Sequence, residues 1–159
     1  GLQWPCTDRN HPGTKFLHSG QFSRGKGKFH PVSYLPPNEM PDDEYPFILT
    51  TGRMLQHWHT GTMTRKSVVL NDLVPHGALE LHPDDAELYG ITKGDNLLVS
   101  SRRGKITVPA NITDKIRKGT VFMAFHFHEH PANALTIAAL DPIAKIPEFK
   151  ACAVKVEKN

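Results

Sequence analysis

Short apolar runs separated by polar, turn-forming residues dominate the second part of the chain. Residues 47–51 form an apolar, β-branched run that ends at Gly52, which predicts a buried strand. Similar runs over residues 78–81, 120–125 and 151–156 predict three further short strands. The pattern therefore favours a mainly β domain.

A hairpin and one clear helix complete the predicted elements. Residues 96–101 lead into a turn at 102–105, and residues 106–110 return with alternating character, as in a β-hairpin. Residues 83–90 carry the helix signal, with a proline at the first helical position, two aspartates in the first turn and a glycine at the end. The polar residues 53–67 are typical of a long loop. With about six or seven strands, the sequence predicts a mainly β barrel with one additional helix.

The N-terminal part lacks this periodicity. Residues 1–46 hold 7 of the 13 prolines and 5 of the 12 glycines. Such a segment buries too little apolar surface to offset its chain entropy, so we predict an extended arm or linker over residues 1–44 and a barrel domain over residues 45–159. The alternative to an arm is a flexible tail. The aromatic residues of the segment favour an arm that lies on a partner surface; they are Trp4, Phe16, Phe22, Phe29 and Tyr34.

Charge and cysteine content exclude several classes of function. The chain has 19 Lys and Arg against 16 Asp and Glu, and its formal charge of +3 permits an anionic ligand but argues against nucleic-acid binding. No apolar stretch is long enough for membrane insertion, and no signal segment opens the chain. Cys6 and Cys152 are too few for a disulfide scaffold or a cysteine-ligated zinc site, which favours a cytoplasmic protein. The first residue is Gly rather than Met, as expected for a piece of a longer protein.

The end of the first predicted strand carries a candidate anion site. Thr50, Thr51, Gly52 and Arg53 place hydroxyls, backbone N–H groups and a guanidinium at one point. This set suits a phosphate or pyrophosphate, because Arg binds it bidentately and Gly lets the backbone approach. Residues 60–62, Thr-Gly-Thr, add hydroxyls nearby. The alternative is a polar loop whose turns satisfy their own hydrogen bonds.

Two histidine-rich segments form a candidate metal site. They are residues 57–59, His-Trp-His, and residues 126–130, in which histidine occupies alternate positions. In an extended chain alternate residues share a face, so three imidazoles and the Glu129 carboxylate could converge on a metal ion. The alternatives are hydrogen-bonding or packed histidines, and Glu129 is the only acid near either segment. On balance we expect no metal ligated by protein side chains.

A third candidate is Asn133, which follows the longer histidine segment. Its amide can donate and accept hydrogen bonds at once, which suits the edge of a heterocycle, although an Asn here can equally cap a turn. No nucleophile–base pair, dinucleotide-binding glycine motif or phosphate-binding loop stands out. The chain is therefore predicted to hold a ligand and to contribute no catalytic residue.

The order and spacing of several segments, taken together, resemble those of a known family. These segments begin with Tyr-Pro-Phe-Ile-Leu-Thr-Thr-Gly-Arg and lie at residues 45–53, 57–64, 81–95, 101–106, 133–136 and 141–154. In them the chain resembles the C-terminal, cofactor-binding domain of molybdopterin oxidoreductases of the dimethyl-sulfoxide-reductase superfamily. It is most similar to the catalytic (alpha) subunit of formate dehydrogenase. Residues 1–6, 11–14 and 22–29 resemble the segment that enters this domain, so the resemblance covers nearly the whole chain.

The resemblance implies a fold, a cofactor and partners. The fold is a double-psi β-barrel (aspartate-decarboxylase-like) with one or two short helices and an extended N-terminal arm. The cofactor is bis(molybdopterin guanine dinucleotide) with molybdenum or tungsten, in a formate dehydrogenase that oxidises formate to carbon dioxide. The redox ligand of the metal and the iron–sulfur cluster would belong to upstream domains, so this piece alone should be inactive and without cofactor. The implied partners are the rest of the catalytic subunit and electron-transfer subunits.

The resemblance also assigns cofactor contacts. In the first loop these are Thr51, Gly52, Arg53, His57, Trp58, His59, Thr60 and Thr62. In the later loop they are His128, Asn133, Phe149 and Lys150. The two loops should therefore meet at one rim of the barrel, near residues 50–62 and 128–150. A stand-alone protein-interaction barrel and a small histidine-ligated metal-binding protein are the alternative functions.

Overall fold

The computed structural model of the chain describes residues 4, 6–18, 20, 22 and 24–159. Its contacts divide the chain into two compact units, Gly1–Leu35 and Pro36–Asn159. The domain boundary at residue 44 stays a prediction.

The described residues of the first unit form no helix, and their strand pairing is limited to a single bridge. In this bridge Phe22 and Gly25 exchange backbone hydrogen bonds of 3.2 and 3.0 Å. The aromatic side chains of the unit are exposed, as in Phe29, and their contact with a partner stays a prediction. Residues 1–3, 5 and 23, which belong to the arm segments of the family resemblance, lie outside the described residues.

The second unit, which is described throughout, contains six strands and two short α-helices. The strands are β1 Phe47–Gly52, β2 Leu79–Leu81, β3 Asn96–Ser100, β4 Lys105–Ile112, β5 Thr120–Ala124 and β6 Cys152–Lys158. The helices are α1 Val68–Leu73 and α2 Pro83–Leu88, and 3-10 turns lie at Thr64–Lys66 and Ala132–Ala134. Within the described part of the chain, no helix has the length and apolar character needed to cross a membrane.

The six strands close into a barrel in the order β1-β5-β2-β4-β3-β6. β1 runs parallel to β5 and β2 runs parallel to β4, while the other neighbours are antiparallel. Parallel neighbours need long crossover connections, and β2, α2 and the β3–β4 hairpin all lie between β1 and β5 in the sequence. The predicted double-psi β-barrel with one or two short helices is confirmed.

Alternate side chains of the strands fill the interior of the barrel. β3 and β4 show the burial of every second residue that is expected of strands with one face inside. The fully buried residues of the interior include Leu49, Leu79, Leu81, Leu97, Val99, Val108, Val121 and Val154. Because side chains fill a barrel of this size, a ligand cannot bind inside it.

The helix predicted over residues 83–90 is confirmed as α2. Pro83 begins the helix, where its missing N–H costs no hydrogen bond. The side chain of the preceding residue, His82, accepts a 3.1 Å hydrogen bond from the N–H of Asp84. Asp84 and Asp85 lie in the first turn, where the helix dipole favours negative charge.

The segment after β1 contains more structure than the predicted loop. The 3-10 turn Thr64–Lys66 begins inside that loop, and α1 follows directly after it. No residue of α1 is buried, and Val68 and Val69 are largely exposed. A helix without a buried face shows no apolar period of 3.6 residues, so the sequence pattern could not indicate it.

Candidate functional site

The C-terminal end of β1 lies next to the segment that enters β6. The two strands are antiparallel with Leu49 opposite Cys152, so the residues after Leu49 run beside those before Cys152. The hydroxyl of Thr51 donates a 2.6 Å hydrogen bond to the carbonyl of Phe149. Lys150 Nζ donates a 2.7 Å bond to the carbonyl of Thr51. The structure thus brings together the two segments from which the sequence predicts one rim.

An open cleft with a volume of about 720 Å³ lies at this junction. Its lining consists of Arg53, His59, Phe125, Asn133, Thr136, Pro147, Phe149 and Lys150. Five of these eight belong to the predicted cofactor contacts. The sequence missed Phe125, Thr136 and Pro147, because nothing in the local pattern separates a ligand-facing Phe or Pro from a structural one.

Two cationic side chains face the cleft. Within the described residues, neither Arg53 nor Lys150 forms an ion pair with an Asp or Glu. Arg53 Nη2 lies 3.1 Å from Nε2 of His59, and its guanidinium carbon lies 5.9 Å from the ring centre of Phe125. Because a guanidinium only donates, this His59 nitrogen is the acceptor. An anion in the cleft would therefore meet two positive charges that no described carboxylate neutralises.

Asn133 supplies an amide to the same cleft. It lies in the 3-10 turn Ala132–Ala134, and its backbone carbonyl accepts a 3.1 Å hydrogen bond from the hydroxyl of Thr136. The side chain of Asn133 is exposed and makes no hydrogen bond with the described residues. The amide is thus free to donate to and accept from a ligand in the cleft, and it caps nothing there.

His57 has a structural role, since its side chain bonds to other residues of the chain. Its side chain is buried, and its Nε2 lies 2.8 Å from the carbonyl oxygen of Val74. Since a carbonyl oxygen only accepts, Nε2 carries the proton and Nδ1 is left to accept from the hydroxyl of Thr64, 3.3 Å away. Both ring nitrogens are used, so His57 has no bond to offer a ligand.

The remaining predicted contacts lie outside the lining of the cleft. Trp58 is 64% exposed, and the hydroxyls of Thr60 and Thr62 bond to each other at 2.8 Å. The side chain of His128 is almost fully exposed, with Nδ1 3.3 Å from the carboxylate of Glu129. These residues can contact only a part of a ligand that extends beyond the cleft.

The histidine run 126–130 forms turns rather than a strand, so its imidazoles do not share the single face that a metal site there would need. His126 is buried beside His57, with ring centres 5.0 Å apart. His130 instead has its Nδ1 2.7 Å from the carbonyl oxygen of Thr107. The turns break the alternation on which the metal hypothesis depended. Among the described residues no group of three or more His, Cys, Asp or Glu side chains could hold a metal ion.

His126 is a packed aromatic ring. Burial lowers its pKa, and the neighbouring His57 lowers the pKa further. Its ring centre lies 4.0 Å from that of Phe127, and neither ring nitrogen has a hydrogen-bond partner among the described residues. A neutral imidazole in this place fits one of the alternatives that the sequence left open.

Gly52 allows β1 to pack against Phe122. A Cβ at this position would lie 2.6 Å from Cε2 of the Phe122 ring. We expect Gly52→Ala to lower the free energy of unfolding by about 1–3 kcal/mol, because the ring has to move out of a packed position. Urea unfolding measures this change. Phe122→Leu in the alanine background should recover part of the loss, whereas an alanine variant as stable as the original chain would contradict the packing role.

Beside the cleft, Glu39 forms a network that the sequence did not indicate. Its carboxylate accepts two 2.8 Å bonds from Nη1 and Nη2 of Arg103, a 3.0 Å bond from Arg102 and a 2.9 Å bond from the N–H of Ala153. The hydrogen bonds of Arg103 dominate in holding the pKa of Glu39 down at about 2, although partial burial opposes them. The two arginines were visible in a hairpin turn, but their acid lies more than 60 positions earlier in the chain.

Because of Glu39, we expect the free energy of unfolding to fall at low pH. The pKa of Glu39 falls from 4.5 to about 2 on folding, so its contribution is fully present above pH 4.5 and is lost as the pH falls through 2. A shift of this size corresponds to about 3 kcal/mol. We expect the free energy of unfolding to decrease between pH 5 and pH 2, and Glu39→Gln to flatten this decrease. Urea unfolding across that range tests it; an unchanged slope in Glu39→Gln would remove Glu39 from the acid response.

A known domain family matches most of the barrel. The family described as molydopterin dinucleotide binding domain matches residues 47–153. F420-dependent formate dehydrogenase subunit alpha of Methanocaldococcus jannaschii is 52% identical over 99% of this chain. F420-dependent formate dehydrogenase 1 subunit alpha of Methanococcus maripaludis is 50% identical over the same share. The chain spans about a quarter of the length of these relatives, 24% in each case.

A solved structure shares the fold. The structure of acetylene hydratase from Pelobacter acetylenicus superposes on 73% of this chain and 19% of its own chain, with a TM-score of 0.64 and 20% sequence identity. At this identity the likeness shows the architecture of the domain alone.

Proposed function

Because the chain belongs to the molydopterin dinucleotide binding domain family, we propose that its cleft holds part of a molybdopterin dinucleotide in the catalytic subunit of a formate dehydrogenase. The alpha subunits that are similar to it support the class of enzyme. One observation carries the proposal: Arg53, Asn133 and Lys150, far apart in sequence, line a single cleft.

The cleft fits a ligand that combines a pyrophosphate with a heterocycle. Arg53 and Lys150 would hold the pyrophosphate through charge-assisted hydrogen bonds, since no described carboxylate competes for them. Asn133 would meet the edge of the pterin with its open amide. Phe125 and Phe149 provide apolar walls against which a flat ring can lie.

The other assigned residues have lesser parts in the proposal. His59 lines the cleft beside Arg53 and would contact the same ligand. The exposed group Trp58, Thr60, Thr62 and His128 would contact parts of the cofactor that extend past the cleft. The buried group Thr51, Gly52 and His57 would support the loop through packing and hydrogen bonds within the chain.

When bound, the cofactor would supply a molybdenum or tungsten centre able to accept the two electrons released when formate becomes carbon dioxide and a proton. The residues of this chain bind and orient. By fixing a long anionic tail at several points they would keep the reactive end of the cofactor in one place relative to its substrate. No described residue is proposed to exchange protons or electrons with formate.

The parent protein is proposed to include further domains and to work with electron-transfer subunits. The similar proteins are named as alpha subunits, which supports a complex of several chains. Their names also support F420 as the electron acceptor of the parent enzyme. An iron–sulfur cluster in an upstream domain and a cytoplasmic location belong to the same proposal.

Purification of the parent protein tests the proposal directly. We expect formate-dependent reduction of a viologen dye, together with molybdenum or tungsten and a guanine-containing pterin dinucleotide after acid release. A parent protein that contains the pterin but does not oxidise formate would reject the substrate. A parent protein without any pterin would reject the cofactor as well and would favour a stand-alone interaction barrel.

A further inference from the structure

The cleft has two walls that come from different segments. One wall is the 3-10 turn Ala132–Ala134, which carries Asn133, and the other consists of residues 147–150, which lead into β6. Neither segment belongs to a strand of the barrel. The distance between Asn133 and Lys150 therefore depends on contacts outside the strand ladders.

Arg103 holds the first wall. Its Nε and Nη2 donate hydrogen bonds of 3.0 and 2.9 Å to the carbonyl of Leu135, the residue that ends the turn of Asn133. Leu135 is fully buried. A Cβ on the neighbouring Gly104 would lie 2.9 Å from the backbone oxygen of Ala134, so the hairpin turn and the Asn133 turn are in close contact. Arg103 thus holds the end of this turn against the hairpin.

Glu39 connects Arg103 to the second wall. One carboxylate oxygen accepts from Arg103 Nη2 and also from the N–H of Ala153, which lies three residues after Lys150. Ala153 is itself buried and pairs with Ile48 of β1. The carboxylate of Glu39 is 14% exposed, so solvent screens these bonds only in part.

We propose that Glu39 and Arg103 are positioning residues that set the spacing between Asn133 and Lys150 without touching the cofactor. Neither residue lines the cleft. The proposal rests on the proposed function, since it assumes that the cleft holds a pterin dinucleotide. Loss of the carboxylate would free the guanidinium of Arg103 from its fixed orientation, and the Asn133 turn would shift relative to β6. In metal sites, residues that orient a ligand without touching the metal change affinity by about 10- to 100-fold, and we expect an effect at the lower end of this range here.

Asp95 offers a matched control at the other end of β6. Its carboxylate accepts a 2.8 Å bond from Lys158 and bonds of 2.7 and 2.9 Å from the N–H and hydroxyl of Thr92. The bond from Lys158 leads the contacts that lower the pKa of Asp95 to about 2, as the pKa of Glu39 is lowered. Asp95 takes no part in the cleft. Asp95→Asn therefore removes a comparable structural carboxylate far from the walls.

The experiment compares Glu39→Gln, Arg103→Lys and Asp95→Asn in the purified parent enzyme. Pterin dinucleotide retained per polypeptide after extended gel filtration is measured beside the urea midpoint of each variant. We expect retention to fall about tenfold in Glu39→Gln and in Arg103→Lys, and to stay near that of the original protein in Asp95→Asn at a similar loss of stability. Arg103→Lys preserves the charge beside Glu39, so this variant can still be measured if Glu39→Gln does not fold.

A double variant separates positioning from general destabilisation. If Glu39 and Arg103 act through one shared interaction, the double variant Glu39→Gln/Arg103→Lys should lose no more pterin than either single variant. Equal retention losses in Asp95→Asn and Glu39→Gln, or additive losses in the double variant, would overturn the positioning role. If the unsubstituted parent retains no pterin, the proposed function fails and this proposal fails with it. If the parent and all variants retain pterin equally, only the positioning role is overturned.

Discussion

Replacing Arg53 by Ala is expected to lower the pterin dinucleotide retained by the parent enzyme by about 10- to 100-fold, the range that corresponds to one or two lost charge-assisted hydrogen bonds. Arg53 lines the cleft, and no described carboxylate forms an ion pair with it, so its interaction with an anionic ligand would not replace an existing pair. Arg53→Lys should retain an intermediate amount, because lysine keeps the charge but loses the planar, two-pronged donor. Pterin fluorescence after acid release and elemental analysis of the metal measure the effect.

Arg117 provides the control for this prediction. It is an exposed arginine between β4 and β5 that does not line the cleft. Arg117→Ala removes the same charge from the protein, so the change in net charge is matched while the local bonds differ. Unchanged metal and pterin content in Arg53→Ala, or an equal loss in both variants, would reject a direct contact between Arg53 and the cofactor.

The largest loss of stability is expected from Leu49→Ala, at about 2–5 kcal/mol of unfolding free energy. Leu49 is fully buried in β1, opposite Val121 of the parallel neighbour and Cys152 of the antiparallel one. Its removal leaves a cavity inside a closed barrel, which can relax little because every strand is paired on both sides. Urea unfolding followed by tryptophan fluorescence and circular dichroism gives the value.

Leu88→Ala is the matched substitution on the surface. Leu88 ends α2 and is 72% exposed, so the same change of side chain should alter stability by less than about 0.5 kcal/mol. A Leu49→Ala protein that unfolds at the same urea concentration as Leu88→Ala would show that the barrel interior is not the main source of stability.

The strands could be predicted because their signals are local. The run at residues 47–51 and the alternating return at 106–110 each carry their own burial pattern, and both lie within strands of the structure. The strand order could not be read in the same way. Nothing in the composition of β6 indicates that it lies between β1 and β3, since that pairing depends on how the whole chain closes. The double-psi arrangement was available only through the family resemblance.

The site shows the same division between local and distant information. Arg53 and Asn133 stood out because their chemistry suits an anion and a heterocycle edge, and both line the cleft. The conformation of residues 126–130 could not be predicted in this way, since the metal alternative assumed an extended backbone where the chain forms turns. Phe125 and Glu39 were missed because their roles come from neighbours that are distant in sequence.

The position of β6 has a consequence for biosynthesis. β6 follows the other five strands of the barrel in the sequence, yet it lies between β1 and β3 and closes the sheet. On the ribosome, β1 and β3 must therefore wait with open hydrogen-bonding edges until the last strand emerges, and such edges invite pairing with other nascent chains. We therefore expect the nascent chain to depend on chaperones most before β6 leaves the ribosome.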